Sequence, residues 1–262
     1  MSTRVTVLSF LVILVILGLV AGVFAGSIQK ALFVPASQGM TRLVPINPLR
    51  PAPTQAATMP PAQGNANTLA QDTFQRKDQP LWGKASDGRA WQGDANTANA
   101  FSVANGTGQI SNVAGTFNAL LGQPGTNLDV TMNGSINHFN NGKVNLGAVV
   151  RWSSNGNWYK AYIDGTKLVM LKRIKGVTTT LATVPFQAQD GMMYSLRFRV
   201  LGAMLFARAW PVGTPEPANW MLNVTDTTLT TGQAGIRVLL QKTTIVTVTN
   251  FLVVPATTGN TV

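Results

Sequence analysis

Residues 146–176 read LGAVVRWSSNGNWYKAYIDGTKLVMLKRIKG, and this stretch carries the strongest folding signal in the chain. It holds three strand-like segments separated by Asn155-Gly156 and by Asp164-Gly165. A two-residue Asp-Gly between alternating segments favours a type I′ hairpin turn, because both central residues need a positive φ and the primed turn matches the strand twist. The stretch therefore predicts an antiparallel meander at the centre of the domain.

The 262-residue chain is 45% hydrophobic and only 11% charged, a composition that can bury one sizeable core. It has no cysteine, which excludes disulfides and thiolate metal sites, and its single histidine, His138, excludes most histidine-based catalysis. The formal net charge is +11, from 20 Lys and Arg against 9 Asp and Glu. Such a charge attracts acidic polymers, including nucleic acids, anionic lipids and acidic envelope glycans. Because the basic residues are dispersed along the chain, a solvated positive surface is the alternative interpretation.

The N-terminal part predicts a membrane segment followed by a spacer. Residues 5–25 form an uncharged run rich in Val, Leu and Ile, about the length that crosses a bilayer as a helix. We interpret residues 1–26 as a transmembrane anchor or a signal peptide, and the retained anchor is favoured because cleavable signals usually have a shorter apolar region. Residues 27–71 are Pro-rich and predict an extended linker. The remainder is expected outside the cell, either on a single-pass membrane protein or secreted after cleavage.

The sequence changes character between residues 72 and 254, where short alternating runs are separated by Gly, Asn and Pro. This spacing is typical of an antiparallel sandwich or barrel, and no amphipathic helix of ordinary length stands out. The predicted fold is therefore all-β, with residues 255–262 as a flexible tail. The candidate strands are residues 116–121, 128–132, 144–152, 158–163, 167–174, 178–184, 193–200, 204–210, 235–240 and 243–254.

Several short motifs in this region carry a resemblance to a known family. They are DTFQR from residue 72, WG from 82, DGRAW from 87, GAVVRW from 147, WYKAY from 158, YSLRFR from 194 and TNFLV from 249. With these motifs, residues 72–254 resemble the concanavalin A-like lectin/glucanase superfamily, and more narrowly the laminin G-like jelly rolls of bacterial exported proteins. The resemblance implies a jelly-roll sandwich of two antiparallel sheets, with a concave face that holds a carbohydrate in many relatives.

The glucanase branch of that superfamily hydrolyses glycosides with paired acidic residues, which laminarinase-type relatives supply from a Glu-x-Asp-x-x-Glu strand. This chain has a single Glu, Glu216, which lies in a Thr-Pro-Glu-Pro loop, so hydrolysis by the family mechanism is not expected. His138 lies in a predicted turn, and no Gly-x-Ser-x-Gly motif occurs. The sequence predicts a non-catalytic protein, with a glycoside hydrolase as the less favoured alternative.

The resemblance also raises the question of a calcium site. In many jelly rolls of this type the first and last strands lie side by side, and their acidic or amide oxygens bind Ca²⁺. Asp72 and Asn250 occupy matching places in the first and last strands and are the candidate ligands. The alternative is that both side chains make hydrogen bonds at strand ends, since calcium takes about six or more oxygens.

Aromatic and basic residues of the predicted sheets are the candidate ligand-binding residues. Aromatic rings stack on sugars, and Arg and Lys donate hydrogen bonds to hydroxyls or acidic groups. Alternation in residues 204–210 places Arg208 on an open face with Phe206 and Trp210, although Trp210 could instead cover the strand end. The full candidate set is Arg151, Trp158, Lys160, Tyr162, Phe206, Arg208 and Trp210.

Other tryptophans are expected to fill the core instead, among them Trp82, Trp91 and one of Trp152 or Trp158.

Two classes of function stay open. The first is a cell-surface module that binds a glycan or an anionic envelope polymer, and the second is a structural or protein-interaction domain on a stalk. A specific nucleic-acid partner is not expected, because the chain is predicted to be exported and has no RNA-binding signature or recognition helix. The sequence indicates no oligomeric state.

Overall fold

A computed structural model describes residues 67–258 of the protein. The predicted anchor or signal segment, nearly all of the predicted linker and residues 259–262 of the predicted tail lie outside the described residues. Within residues 67–258, no helix is long and apolar enough to span a membrane.

The described residues form sixteen strands and one short 3₁₀ helix, Asp94–Asn96, which confirms the all-β fold. The strands are β1 (Ala70–Asp72), β2 (Gln79–Pro80), β3 (Gln92–Gly93), β4 (Phe101–Ala104), β5 (Thr107–Ser111), β6 (Gly115–Gly125), β7 (Leu128–Ile136), β8 (Leu146–Ser154), β9 (Asn157–Ile163), β10 (Lys167–Ile174), β11 (Val177–Pro185), β12 (Tyr194–Leu201), β13 (Met204–Pro211), β14 (Leu222–Thr225), β15 (Gly232–Leu240) and β16 (Ile245–Pro255).

These strands form two antiparallel sheets. The nine-stranded sheet has the order β14-β13-β12-β7-β16-β5-β4-β2, and β1 pairs with β16. The seven-stranded sheet has the order β11-β10-β9-β8-β15-β6-β3. The meander predicted from residues 146–176 is β8-β9-β10, which lies within the seven-stranded sheet.

All ten runs that were predicted as strands are strands in the structure. The six strands that alternation did not reveal, β1 to β5 and β14, have two to five residues each. Such short segments show too little of the period-two pattern to stand out from loops. The first of them, β1, begins at Ala70, two residues before the expected start of the domain.

The turn chemistry differs from the prediction. Asp164 does not adopt a positive φ, and its carboxylate instead accepts hydrogen bonds from the backbone N–H groups of Thr166 and Lys167, so the turn is closed by a side chain. The Asn155-Gly156 connection also lacks positive φ angles. Paired positive φ values occur at Asn105-Gly106 and at Lys175-Gly176, and these pairs have the signature of type I′ hairpins.

The core lies between the two sheets and is lined by alternate residues of each strand. In β12, Tyr194, Leu196, Phe198 and Val200 are at most 2% exposed, as alternation predicts. Their neighbours Arg197 and Arg199 therefore point away from the core.

One end of the core is an aromatic cluster that includes Trp82 and Trp91, as expected. The ring of Trp82 packs edge-on against Trp91 at 4.8 Å, against Phe74 at 4.9 Å and against Phe101 at 5.0 Å. Trp152 and Trp158 are both buried, which confirms the expectation for one of them, but they pack in a second, separate cluster.

Candidate functional site

The residues predicted to bind a ligand lie in three separate places. Trp158, Lys160 and Tyr162 lie on β9, with their side chains on the face of the seven-stranded sheet that points away from the core. Phe206, Arg208 and Trp210 lie on β13, on the outward face of the nine-stranded sheet. Arg151 lies at one end of the sandwich. The structure therefore does not bring the predicted set together as one site.

The outward face of the seven-stranded sheet carries a second, smaller hydrophobic cluster. It consists of Leu120, Val149, Trp152 and Trp158, with Leu171 packed against it. The rings of Trp152 and Trp158 are stacked, with centroids 6.1 Å apart and an interplanar angle of 5°. Both indoles are nearly buried, at 7% and 3% exposed.

Arg237 of β15 covers this tryptophan pair. Its guanidinium carbon lies 4.6 Å from the ring centre of Trp158 and 5.5 Å from that of Trp152. Its Nη1 donates a hydrogen bond to Asn118 Oδ1 of β6. Burial and, to a smaller extent, the positive charge of Arg173 lower the pKa of Arg237 to about 10, against an opposing effect of Asp94.

Lys160 lies beside this pair and is only 4% exposed. Its Nζ donates a hydrogen bond to Asn145 Oδ1 at 2.5 Å and lies 4.8 Å from the ring centre of Tyr162. Burial, with a smaller effect from the charge of Arg237, holds the pKa of Lys160 well below its usual range. Any negative charge brought to this face would favour the protonated amine.

Arg173 completes the group on the neighbouring strand, β10, where it is in register with Trp158. Its Nη1 donates to Thr178 Oγ1, and its Nε is buried without a hydrogen-bond partner among the described residues. We call the surface formed by Trp152, Trp158, Lys160, Tyr162, Arg173 and Arg237 the cationic face.

The three cations of the cationic face have no carboxylate at salt-bridge distance among residues 67–258. Arg76, Lys172 and Arg197 show the contrast, because each pairs with a carboxylate at 2.6–2.9 Å. The outward face of the seven-stranded sheet therefore carries three cations without a carboxylate partner among the described residues, beside aromatic rings.

The outward face of the nine-stranded sheet has a different arrangement, which we call the arginine cluster: Arg197, Arg199 and Arg208 with Asp129, Glu216 and Trp220. Asp129 binds Arg197 at 2.7 Å and Arg199 at 2.5 Å, and Glu216 binds Arg197 at 2.9 Å and Arg208 at 2.6 Å. The ring of Trp220 lies over all three guanidiniums, 4.3 to 5.6 Å from their central carbons.

The expectation that Arg208 and Trp210 share an open face is wrong, because their exposures are 1% and 9%. The connection from β13 to β14 returns over this face and places Trp220 against Phe206 at 5.4 Å. Backbone carbonyls of Pro217 and Ala218 in the same connection accept hydrogen bonds from Arg208 Nη1. The strand pattern gives the side of each residue correctly, but the path of a loop is not encoded in that pattern.

Arg151 is separated from its neighbour Trp152 by a β-bulge. It adopts a φ of +51°, and the register with β9 shifts between Val150 and Ser154. Arg151 is 3% exposed as a residue, and its guanidinium donates to the carbonyls of Thr126, Gly202 and Leu229 at 2.6–3.0 Å. Arg151 therefore fastens three connections at one end of the sandwich and does not contribute to the cationic face.

The structure favours the hydrogen-bonding alternative over the candidate calcium site at Asp72 and Asn250. Asp72 is fully buried, and its carboxylate accepts hydrogen bonds from Arg76, from Trp91 Nε1 and from backbone N–H groups. These donors occupy both oxygens, so the carboxylate stabilises the fold. In the register of β1 with β16, Asp72 faces Phe251 and not Asn250. No group of three or more acidic or histidine residues that could hold a metal occurs within residues 67–258.

The acidic side chains are largely engaged with cations or turns. Glu216 and Asp129 bind arginines, Asp164 closes its turn, and Asp226 binds Lys172 at 2.6 Å. Burial alone would raise the pKa of Asp226, but hydrogen bonds from Lys172, Tyr159 and Thr228 hold it below its usual range. His138 is exposed, as expected for a residue in a turn, and pairs with Asp190 at 2.5 Å.

Sequence reasoning named Trp158, Lys160 and Tyr162 but missed Arg173 and Arg237. Both are placed by alternation on the same side of the sheet as Trp158, yet their strands lie on either side of the β8-β9 pair, and only the strand order brings them together. The sequence does contain one signal for them: Arg173 in β10 and Arg237 in β15 alternate with the core-facing residues of their strands, so each is predicted to point away from the core.

Comparison with known proteins yields similarity of fold only. No protein-family model and no curated protein matches the chain. Among solved structures, the GH43 protein BlXynB from Bacillus licheniformis is 13% identical with a TM-score of 0.53, and the match covers 71% of this chain and 39% of that chain. The Ca²⁺-bound exoplasmic/lumenal domain of VIP36 is 10% identical with a TM-score of 0.50, covering 68% and 89% of the two chains.

A carbohydrate binding module, CBM66 from Bacillus subtilis, is 17% identical with a TM-score of 0.49 over 61% of this chain and 94% of that chain. At the identities and TM-scores of BlXynB and VIP36, the similarity shows a common β-sandwich architecture. The laminin G-like assignment stays a prediction. The described part of the chain is thus an all-β sandwich of two antiparallel sheets, with one outward face that is cationic and aromatic.

Proposed function

We propose that the protein is a non-catalytic binding module whose cationic face recognises an acidic carbohydrate. The observation that supports this best is the placement of Lys160, Arg173 and Arg237 around stacked indoles without a carboxylate partner among residues 67–258. A largely buried cation that has no carboxylate partner gains more free energy from binding an anion than a cation that is already paired.

The parts of the face that a ligand can reach fit this chemistry. Tyr162, Arg173 and Arg237 are partly exposed, whereas Trp152 and Trp158 are nearly buried. The indoles therefore support the guanidinium of Arg237 and fix its orientation, and Tyr162 is the ring available to a sugar. Arginine presents paired donors that match the geometry of a carboxylate, so a uronate is the favoured ligand.

The fold agrees with this proposal through the resemblance noted above. That resemblance implies a sheet whose concave face holds a carbohydrate in many relatives. The seven-stranded sheet would be that sheet here. If no polymer binds, the alternative function is favoured, which is that of a structural or protein-interaction domain.

The test is a binding titration of the full 262-residue chain with polygalacturonate, with a neutral glucan and with polyphosphate. We expect saturable binding to polygalacturonate and much weaker binding to the glucan. Arg173→Gln and Arg237→Gln should each weaken binding by about tenfold, the value of one charge-assisted hydrogen bond. Lys242→Gln, which removes an exposed charge from the turn before β16, is the matched control and should bind as the wild type does.

Equal affinity for polyphosphate and polygalacturonate would assign the face to anionic polymers in general and remove the carbohydrate from the proposal. Equal weakening by Lys242→Gln and the two arginine variants would show that net charge acts, and not this face.

We also propose that the domain is held at a membrane and faces the outside of the cell. The support is the uncharged run of residues 5–25 followed by the Pro-rich residues 27–71. Protease added to intact cells should remove the domain and leave a small membrane-bound fragment. A domain protected until the cells are lysed would contradict this orientation.

A further inference from the structure

A cavity of about 350 Å³ opens at the end of the sandwich where Arg151 lies. Its walls come from three connections, β6–β7, β12–β13 and β14–β15. Residues that line it include Arg151, Thr126, Asn127, Thr227, Leu229 and Thr230. A volume near the lower end of the range for small-molecule pockets suits a single sugar-sized ring and not a polymer chain.

The guanidinium in this cavity is rigidly held. Arg151 makes four hydrogen bonds to carbonyl oxygens: Nε and Nη2 donate to Thr126, Nη2 also donates to Gly202, and Nη1 donates to Leu229. These four bonds leave one Nη1 hydrogen without an acceptor among residues 67–258. A donor that is already immobilised costs little further entropy when a ligand binds it.

Among the described residues, the charge of Arg151 is stabilised by the dipoles of backbone carbonyl groups and not by a carboxylate. No carboxylate lies at salt-bridge distance from it within the described residues. Asp226, which precedes the lining residue Thr227 in the chain, is already bound by Lys172 and by the hydroxyl of Tyr159 at 2.6 Å each. Burial accordingly lowers the pKa of Arg151, as expected for a cation without a counter-ion.

The rest of the lining is neutral and rich in hydroxyl groups. Thr126, Thr227 and Thr230 supply hydroxyls, Asn127 supplies an amide and Leu229 supplies an apolar surface. A cation at the wall, hydroxyls at the rim and one apolar contact are the groups that a small hydroxylated carboxylate requires.

We propose that this cavity is a second binding site, separate from the cationic face, for a single uronic acid residue or a similar hydroxylated carboxylate. The carboxylate binds Arg151, and the ring hydroxyls contact the threonine rim. The bulge that turns Arg151 and Trp152 to opposite sides of the strand keeps the two sites apart, so each can be removed without the other.

The experiment is an NMR titration of the full chain, held in a polyoxyethylene detergent that lacks sugar head groups, with methyl glucuronide and with methyl glucoside. We expect saturable binding of the glucuronide and at least about tenfold weaker binding of the uncharged glucoside, the difference made by a charge-assisted hydrogen bond. Arg151→Met would also disturb three connections, so the informative variants are on the rim.

Thr230→Asp places a competing carboxylate at the rim, and Thr227→Trp fills the opening; both positions are exposed, so both variants should fold. Each should abolish glucuronide binding. Asn112→Asp, which adds the same charge on the exposed connection between β5 and β6, is the control and should bind normally. Arg173→Gln/Arg237→Gln should also bind normally, because it alters only the cationic face.

Equal binding of the two glycosides, unchanged binding in Thr230→Asp and Thr227→Trp, or no saturable binding by the wild-type chain would overturn the inference. Loss of glucuronide binding only in Arg173→Gln/Arg237→Gln would also overturn it, while leaving the proposed function of the cationic face intact.

Discussion

At the residue scale, Lys160 shows how a buried cation without a carboxylate partner affects stability and binding. Its amine is 4% exposed and has one amide oxygen as its hydrogen-bond partner among the described residues. Keeping this group charged in the folded state costs free energy, which is why its pKa lies well below the usual range. The arrangement is unfavourable for stability and favourable for binding an anion.

This cost predicts a pH dependence of stability. Between the lowered pKa of Lys160 in the folded state and the value of about 10.4 for free lysine, the unfolded chain binds more protons, so the free energy of unfolding rises with pH. This gain in the free energy of unfolding is complete above the pKa of Lys160 in the unfolded chain. It is lost as the pH falls to and below the pKa of Lys160 in the folded protein. In Lys160→Met this rise should be absent, as measured by urea unfolding of both proteins across the alkaline range.

Lys242→Met removes an exposed lysine and serves as the control, which should keep the rise. A difference between the wild type and Lys160→Met that stays constant with pH would show that the amine is solvated.

Arg208 and Trp210 illustrate a second point at the residue scale, because both are buried on the outward face of the nine-stranded sheet. Changing both to Ala should lower the free energy of unfolding by about 3–5 kcal/mol or more, since the Trp truncation alone leaves a large cavity. The loss should appear in thermal unfolding, with Phe206→Ala as a smaller change on the same face. A double variant with wild-type stability would mean that the β13–β14 connection does not cover these residues.

At the scale of elements, the hairpin between β9 and β10 depends on Gly165. This residue has a φ of +94°, and a Cβ added there would lie 2.6 Å from the Cβ of Phe139. Gly88 has a similar φ of +87° with nothing within 4 Å, so it reports the backbone strain alone. Gly165→Ala should therefore destabilise the protein by about 1–3 kcal/mol more than Gly88→Ala does. Equal melting temperatures of the two variants would show that Phe139 yields to the added methyl group.

The elements also show how much of the fold the sequence predicts. Long strands such as β10 and β12 are predicted nearly to the residue, because eight positions in each display the period of two. The short strands β2 and β3 were not, since two residues carry no period and depend on partners distant in the chain. The type I′ turn at Lys175-Gly176 was missed because Lys seldom adopts a positive φ.

The residues of the candidate site likewise fall into those that the sequence predicts and those that it does not. Trp158, Lys160 and Tyr162 could be found because alternation within β9 fixes their common side. Arg237 could not be joined to them, because β15 comes some seventy residues later and pairs with β8 only through the sheet order. The burial of Arg208 depends on a loop, and loop paths follow from tertiary contacts that no local pattern reports.

At the scale of the whole molecule, the two sheets differ in how far the positive charges of residues 67–258 are matched by carboxylates. The arginine cluster is matched by Asp129 and Glu216, whereas the cationic face is not matched. Binding of polygalacturonate should therefore weaken steeply as salt is raised across about 0.05–0.5 M, because the Debye length shortens over this range. Titrations of the full chain at several salt concentrations measure this, and salt-independent affinity would indicate that stacking and neutral hydrogen bonds dominate.

The most direct test of the cationic face compares the two sheets in one measurement. Arginine side-chain Nε–H signals of the full chain are followed by NMR while a galacturonate oligomer is added. We expect shifts at Arg173 and Arg237, with Arg197, Arg199 and Arg208 unchanged. Shifts confined to the arginine cluster, or no shift at Arg173 and Arg237 when the oligomer is bound, would contradict it.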